Sequence, residues 1–434
     1  MRSFKQLFGP ATVAALMLAA CGGGSAAPSS VAPASSAAAP KPAASASAKP
    51  AASTAASAKP AASGAASAKP AASASAKPAA SGSAAAKPKP TLVPDVAADT
   101  TQVQYARAVV PGYEGKSISA DILDIDQDTH MVYVADRDTS GLDVYDVSGG
   151  SPKFVKTLKT PAAPNGVIVA KNINRIAAGL NDGTLGVLDL ASGNVVGTIQ
   201  SGGKKRVDEL DYDPKEKKVY AANSDDGFMG AYDPMAMKMV QKIDNLGDSL
   251  EQPRYDAADG MVYLTGSGTN TLFQVDPTKD AVAKKFSMPN GCNKPSGQWM
   301  NPKTNVGVIS CDPNPIVWDY GKGDMVDTLK QTGKGDQVFY SAKADVYLLG
   351  EAGWSHGPHI GIVGGTPIKF ITNVGPTPGG NHNNSVLDEA SNMVYSMGPD
   401  GLLGFPLPKA GGTASAGGAA GASAKPAASA KPSA

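Results

Sequence analysis

Histidine and cysteine are scarce: the 434 residues include four histidines and three cysteines. Cys-x-x-Cys-His does not occur, which excludes c-type haem attachment. Gly-x-Ser-x-Gly does not occur either, and no serine or cysteine stands in a recognisable triad context, so nucleophilic catalysis finds little support. No glycine-rich loop opens a helix, because no helix of length is legible beyond residue 20, and this removes phosphate-cradling nucleotide sites. The N-terminal apolar stretch Ala11–Ala20, taken with Leu7 and Phe8, covers about fourteen residues, short of the ~20 needed to span a bilayer.

That stretch has another reading. Arg2 and Lys5 precede it, and small residues follow, the pattern of a secretory signal. Leu18-Ala19-Ala20-Cys21-Gly22 resembles the lipobox of bacterial lipoproteins. The resemblance implies cleavage before Cys21, lipidation of its thiol, and a lipid anchor in a membrane of the cell envelope. An ordinary secretory signal with a chance cysteine is the alternative.

Residues 21–90 are almost wholly Ala, Ser, Pro, Gly and Lys, with Lys-Pro recurring at Lys49, Lys59, Lys69, Lys77 and Lys87. Such a segment cannot bury enough apolar surface to offset its ordering entropy, so a disordered, extended tether is expected. Residues 409–434 return to that composition and are expected to be a disordered tail. Residues 91–408 have globular composition and form the one large domain.

Charge follows the same division. All 38 acidic residues lie in 91–408, against 27 basic ones, a formal charge of −11 for that region. Folded-face phosphate binding needs clustered Lys and Arg, so nucleic acid is not an expected partner.

Within 91–408 a unit repeats. Val132-Tyr133, Ile176-Ala177, Val219-Tyr220, Val262-Tyr263, Val306-Gly307, Val346-Tyr347 and Val394-Tyr395 stand 44, 43, 43, 44, 40 and 48 residues apart. A following strand ends on Asp146, Asp189, Asp233, Asp276 or Asp319. Short β-branched and aromatic strands between Gly, Asp, Asn and Pro turns predict all-β structure. Four strands per ~40–45 residues is the period of a propeller blade. The fold predicted is a seven-bladed β-propeller of four-stranded antiparallel blades. The seventh unit supplies three strands, and Thr101–Val110 is expected to supply its fourth and close the ring.

Phrases such as Val219-Tyr220-Ala221-Ala222-Asn223 and Val132-Tyr133-Val134-Ala135-Asp136 resemble the YVTN-repeat, YncE-like propellers of bacterial envelopes, a WD40-like architecture. The resemblance covers about residues 118–408. It implies a fold and an extracytoplasmic setting, and no particular chemistry.

Propeller topology places residues. Counting back twelve positions from each repeat tyrosine, or its equivalent, reaches the start of the channel-lining strand. The positions are Asp121, Asn165, Asp208, Glu251 and Asn383, with Ser296 and Asp336 nearest in the fifth and sixth units. Glu209, Arg254 and Gln298 lie beside them and complete the set of channel-mouth candidates. Oxygen side chains ringing one mouth suit a hard cation such as calcium, or solvate strand ends and turns. His356, His359 and His382 fall in loops on the same face, where imidazoles could hold zinc or copper; scattered surface histidines are the alternative. Cys292 and Cys311 form an even pair whose positions share one face of blade 5, so a disulfide is expected, with two buried thiols as the alternative.

Two functions compete. One is a membrane-tethered, monomeric binding module that presents its channel mouth to a small molecule, a glycan or an envelope protein. The other is a metal-assisted, lactonase-like hydrolase using mouth carboxylates such as Asp208 and Glu251, with Arg206 or Arg254 polarising a carbonyl.

Overall fold

The computed structural model describes residues 100–351, 359–375 and 383–408. Cys21, His356, His382, the signal, the tether and the tail lie outside these residues. No helix among the described residues is long and apolar enough to cross a membrane.

The chain forms seven four-stranded antiparallel blades. Blade 1 comprises Ala120–Asp126, Met131–Asp136, Gly141–Asp146 and Lys153–Lys159, and blade 2 Pro164–Ala170, Arg175–Leu180, Thr184–Asp189 and Val195–Gln200. Blade 3 is Leu210–Asp213, Lys218–Asn223, Phe228–Asp233 and Lys238–Ile243; blade 4 is Leu250–Tyr255, Val262–Gly266, Thr271–Asp276 and Ala281–Ser287. Blade 5 is Gln298–Asn301, Val306–Ile309, Ile316–Asp319 and Asp324–Thr328; blade 6 is Val338–Ser341, Val346–Glu351, His359–Gly365 and Ile368–Val374. The first strands of successive blades lie against one another all the way round, blade 7 meeting blade 1, so the ring is closed.

The sequence pattern has local causes. The aspartates that end the third strands cap the turns that follow. Asp189 accepts the Ser192 N–H at 2.9 Å, Asp233 the Met235 N–H at 2.9 Å, and Asp276 the Thr278 N–H at 2.9 Å. A short side-chain acceptor there satisfies a backbone donor that the ladder abandons. The repeat tyrosines fill the space between blades, with Tyr220, Tyr263, Tyr347 and Tyr395 fully buried. Their hydroxyls find partners, as buried phenols do: Tyr220 donates to Asp280 in blade 4, and Tyr395 to Gly150 O in blade 1. Second strands are buried along nearly their whole length, whereas the fourth strands of blades 1 to 5 are largely exposed. The core therefore sits between blades and near the axis.

Closure differs in detail from the single strand expected over Thr101–Val110. Ala106–Val109 is the fourth strand of blade 7, beside Ser385–Asp388, Met393–Met397 and Gly401–Pro406. It runs antiparallel to Gly401–Gly404, with Val110 N–H donating to Asp400 O at 2.9 Å. Thr100–Thr101 instead adds a fifth, parallel strand to blade 6, against Asn373–Val374. Thr101 and Thr372 share a hydroxyl hydrogen bond of 2.8 Å there. The segment thus covers the open edge of one blade before completing the next, and an exposed edge is a liability in any sheet.

Cys292 and Cys311 are joined by a disulfide, with α-carbons 4.8 Å apart and both residues fully buried. A two-residue ladder, Cys292–Asn293 against Asp312–Pro313, runs beside it.

Candidate functional site

The residues found by counting back share a backbone feature. In blade 3 the Asp208 N–H donates to Ala222 O at 2.8 Å and the Ala222 N–H donates to Glu209 O at 2.9 Å, so two residues face one. Ser296 and Gly297 face Ser310 in the same way, and Asp336 and Gln337 face Gly350. The register of blades 1, 2 and 4 slips by one residue at Asp121–Ile122, Asn165 and Glu251–Gln252. Each is a β-bulge at the start of a first strand. A bulge breaks the alternation of side chains and re-aims one of them. Six blades therefore turn a polar side chain, or an adjacent pair, toward the same end of the channel.

Contacts confirm that these starts lie together. Arg137, just past the second strand of blade 1, ion-pairs with Asp121 and donates from Nε to Asn165 Oδ1 at 2.9 Å. Asn165 donates to Val207 O at 3.3 Å, joining blade 2 to blade 3. Ser296 Oγ donates to Gly335 O at 2.9 Å, and Gln337 N–H donates to Asn383 O at 3.0 Å, joining blades 5, 6 and 7. Gln252 reaches from blade 4 to blade 6: its Oε1 accepts the Gln298 N–H at 2.6 Å, and its Nε2 donates to Val338 O at 3.2 Å.

The charges divide into committed and uncommitted groups. Asp121 is held by Arg137, and Asp208 by Arg206 at 3.0 Å. Glu209, Glu251 and Asp336, from three blades, bring carboxylate oxygens within 4.8 Å of one another. Among the described residues none of these three is in an ion pair. Burial pushes all of them up. Glu209 is driven well above the usual carboxylate range by burial, then by Glu251, Asp336 and Asp208. Burial and the neighbouring Asp336 and Asp208 push Glu251 up to about 8, opposed by Lys334 and Arg206. Asp208 rises to about 7 through burial, which outweighs Arg206. Asp336 rises to about 6 through burial and Asp121, opposed by Lys334, Arg206 and Arg137. Clustered like charges in a partly dry site all favour the protonated form.

Two of the candidates stand deeper. Gln298 is fully buried; its Nε2 donates to Gln252 O at 3.1 Å and its Oε1 accepts the Tyr320 hydroxyl at 3.0 Å. Arg254 lies 3.4 Å from Asp211 and 4.2 Å from the centre of the Trp299 ring. Both belong to the channel wall, although Arg254 Nε has no hydrogen-bond partner among the described residues. His359 is buried and begins the third strand of blade 6, opposite Glu351. The convergence of His356, His359 and His382 lies outside the described residues except for His359 itself. His130, for which the sequence suggested no role, ties blade 1 to blade 7 through Asp388 at 2.8 Å.

Arg137, Lys334 and Gln252 are mouth residues that the sequence reading passed over. Arg137 had a signal available: it follows the end of a second strand, whose loop to the third shares a face with the starts of the first strands. Gln252 had none, because its partners come from blades 46 and 86 positions away.

No protein-family profile matches the chain, and no curated protein matches it. Solved structures do. One chain in the "Crystal Structure of Mitotic Checkpoint Complex" aligns with a TM-score of 0.56 at 14% identity, covering 70% of this chain and 93% of that one. At that identity the likeness shows the propeller fold alone.

Proposed function

We propose that this chain is a bacterial lipoprotein whose YncE-like propeller is held outside the cytoplasm and acts as a binding module through its channel mouth. The observation that carries the reading is the set of bulges, which turn polar side chains from six blades to one end and leave Glu209, Glu251 and Asp336 without ion-pair partners among the described residues. Folds retain buried, unpaired charge at a cost, and such clusters concentrate at functional sites. The Cys292–Cys311 disulfide supports an oxidising compartment. Leu18-Ala19-Ala20-Cys21 supports lipid anchoring, with the Lys-Pro segment as spacer. The structural neighbour belongs to a protein complex, which supports an interaction role.

The acidic mouth favours positively charged ligands, metal cations among them. Titration calorimetry of the full chain against spermidine, trilysine and soluble muropeptides tests this. At least one probe is expected to bind wild type and to lose binding with Glu251→Gln. Binding of none, or binding indifferent to the substitution, contradicts the reading. Cys21→Ser is expected to release the protein from membranes; full membrane partitioning of that variant contradicts the anchor.

A hydrolase reading has one observation in its favour. Asp208 and Glu251 are held near neutral pKa, the range of a general base, beside Arg206. A lactone and ester panel with and without chelator tests it, and chelator-sensitive turnover is the result it requires.

A further inference from the structure

We propose that Glu209, Glu251 and Asp336 form a binding site for a calcium ion at the base of the channel mouth. The inference deepens the reading of the mouth as a binding site and rests on it.

Three observations carry it. The first is convergence. Glu209 comes from blade 3, Glu251 from blade 4 and Asp336 from the start of blade 6, and one carboxylate oxygen of each lies within 4.8 Å of the others. Calcium holds oxygens at about 2.3–2.6 Å, so two of its ligands can stand about 5 Å apart on opposite sides of the ion. The three oxygens fit within one such sphere.

The second is an orphaned atom on one residue of the cluster. Glu209 is only 4% exposed, and its Oε2 has no hydrogen-bond partner among the described residues. Buried polar atoms are nearly always satisfied, and one left without a partner asks for an explanation such as an ion.

The third is the charge left over. Asp121 and Asp208 are neutralised locally by Arg137 and Arg206, and Arg254 is engaged by Asp211. Lys334 and Arg206 both act on Glu251 and Asp336, but Arg206 is shared between Asp208 and Asp225, which leaves Lys334 as the uncommitted cation among the described residues. When all three carboxyls are ionised, they and that lysine carry two net negative charges, which one divalent cation balances. The donor set is all oxygen, which suits calcium and not zinc or copper. Glu251 and Asp336 are partly exposed. The ion's remaining positions therefore face the mouth, where a ligand oxygen could complete them.

The test uses the full chain, dialysed against chelator and then against calcium. Elemental analysis is expected to find one calcium per chain. Thermal unfolding is expected to shift upward by several degrees at saturating calcium. Glu209→Gln and Asp336→Asn should each abolish the shift, while Asp244→Asn, on the rim of blade 3 away from the cluster, should keep it. No bound calcium, or an equal shift in the Glu209→Gln protein, overturns the proposal. A shift produced by spermidine and not by calcium also overturns it, since a primary ammonium would then be the occupant. Elemental analysis needs only wild type, so the proposal stays testable if a variant fails to fold. Probe binding that persists with calcium stripped away, and still depends on Glu251, would sink the calcium site while leaving the mouth as the binding site.

Discussion

Ring closure by the segment before blade 1 can be broken with one methyl group. Gly401 pairs with Val109 in the last strand of blade 7. A β-carbon there would sit 1.9 Å from Ala108 O and 2.8 Å from Val109 Cα. Both are backbone atoms of the closing strand, so no side-chain rotation relieves the clash, and Gly401→Ala must push Ala106–Val109 off the blade. The loss comprises the short ladder to Gly401–Gly404, the Val110 to Asp400 bond, and the burial of Ala108 and Val110. At about 1 kcal/mol per net hydrogen bond and ~1–2 for the apolar burial, the expected cost is ~3–5 kcal/mol. Gly149→Ala is the control, because a β-carbon there meets nothing within 4 Å. Urea unfolding followed by tryptophan fluorescence gives the difference, and limited proteolysis reports whether residues near 106–110 are released. If Gly401→Ala lies within ~1 kcal/mol of the control, the closing strand does not hold the ring as described.

Further outcomes follow from the same structure. Asp208, Glu251 and Asp336 hold their protons to about pH 7, 8 and 6 when folded, against ordinary values of 3.8, 4.5 and 3.8. The folded state therefore binds more protons than the unfolded one between those limits, and stability in chelator should fall as pH rises from ~5 to ~8. Stability that rises across that window would contradict the assignment of these groups to a buried mouth. Reducing the Cys292–Cys311 bridge frees a 19-residue separation and should cost ~3 kcal/mol in urea unfolding, less whatever the flanking ladder retains. Unchanged unfolding with reductant would show that the bridge adds no constraint. His130→Ala removes the link to Asp388 between blades 1 and 7 and should cost ~1 kcal/mol, checked in the same assay; a neutral result would mean the contact is dispensable.

The period of the repeat was legible because two local requirements recur. An aspartate must cap the turn after the third strand, as at Asp189 and Asp276, and a bulky tyrosine must fill the gap between blades, as at Tyr220 and Tyr395. The same regularity let a fixed offset from the tyrosine reach Asp121, Asp208 and Glu251 at the mouth. What the offset could not show was the bulge itself, which is a backbone register shift with no residue signature: Asp-Glu, Glu-Gln and Ser-Gly all occupy it. Nor could it show that Glu209, Glu251 and Asp336 meet while Asp121 is taken by Arg137, because those partners are set by the curvature of the ring. Gln298 illustrates the same gap. Its spacing suggests the mouth, yet two residues along a strand is enough to carry a side chain into the wall, where Gln252 and Tyr320 hold it. The expected closing strand starts at Thr101 because nothing in a threonine there distinguishes a parallel partner in blade 6 from an antiparallel one in blade 7.

The central claim is that the mouth carboxylates are kept for a ligand and not for the fold. It is tested most directly by the unfolding free energy of Glu209→Gln in chelator at pH 8. Glutamine keeps the shape and cannot ionise, whereas burial and the neighbouring carboxylates oppose ionisation of Glu209 in the wild type. The variant is expected to be more stable than wild type by at least ~1 kcal/mol at that pH, because a carboxyl whose folded pKa is raised loses stability as pH rises and an amide does not. A variant less stable than wild type by a similar amount would show that Glu209 serves the fold and would contradict the account.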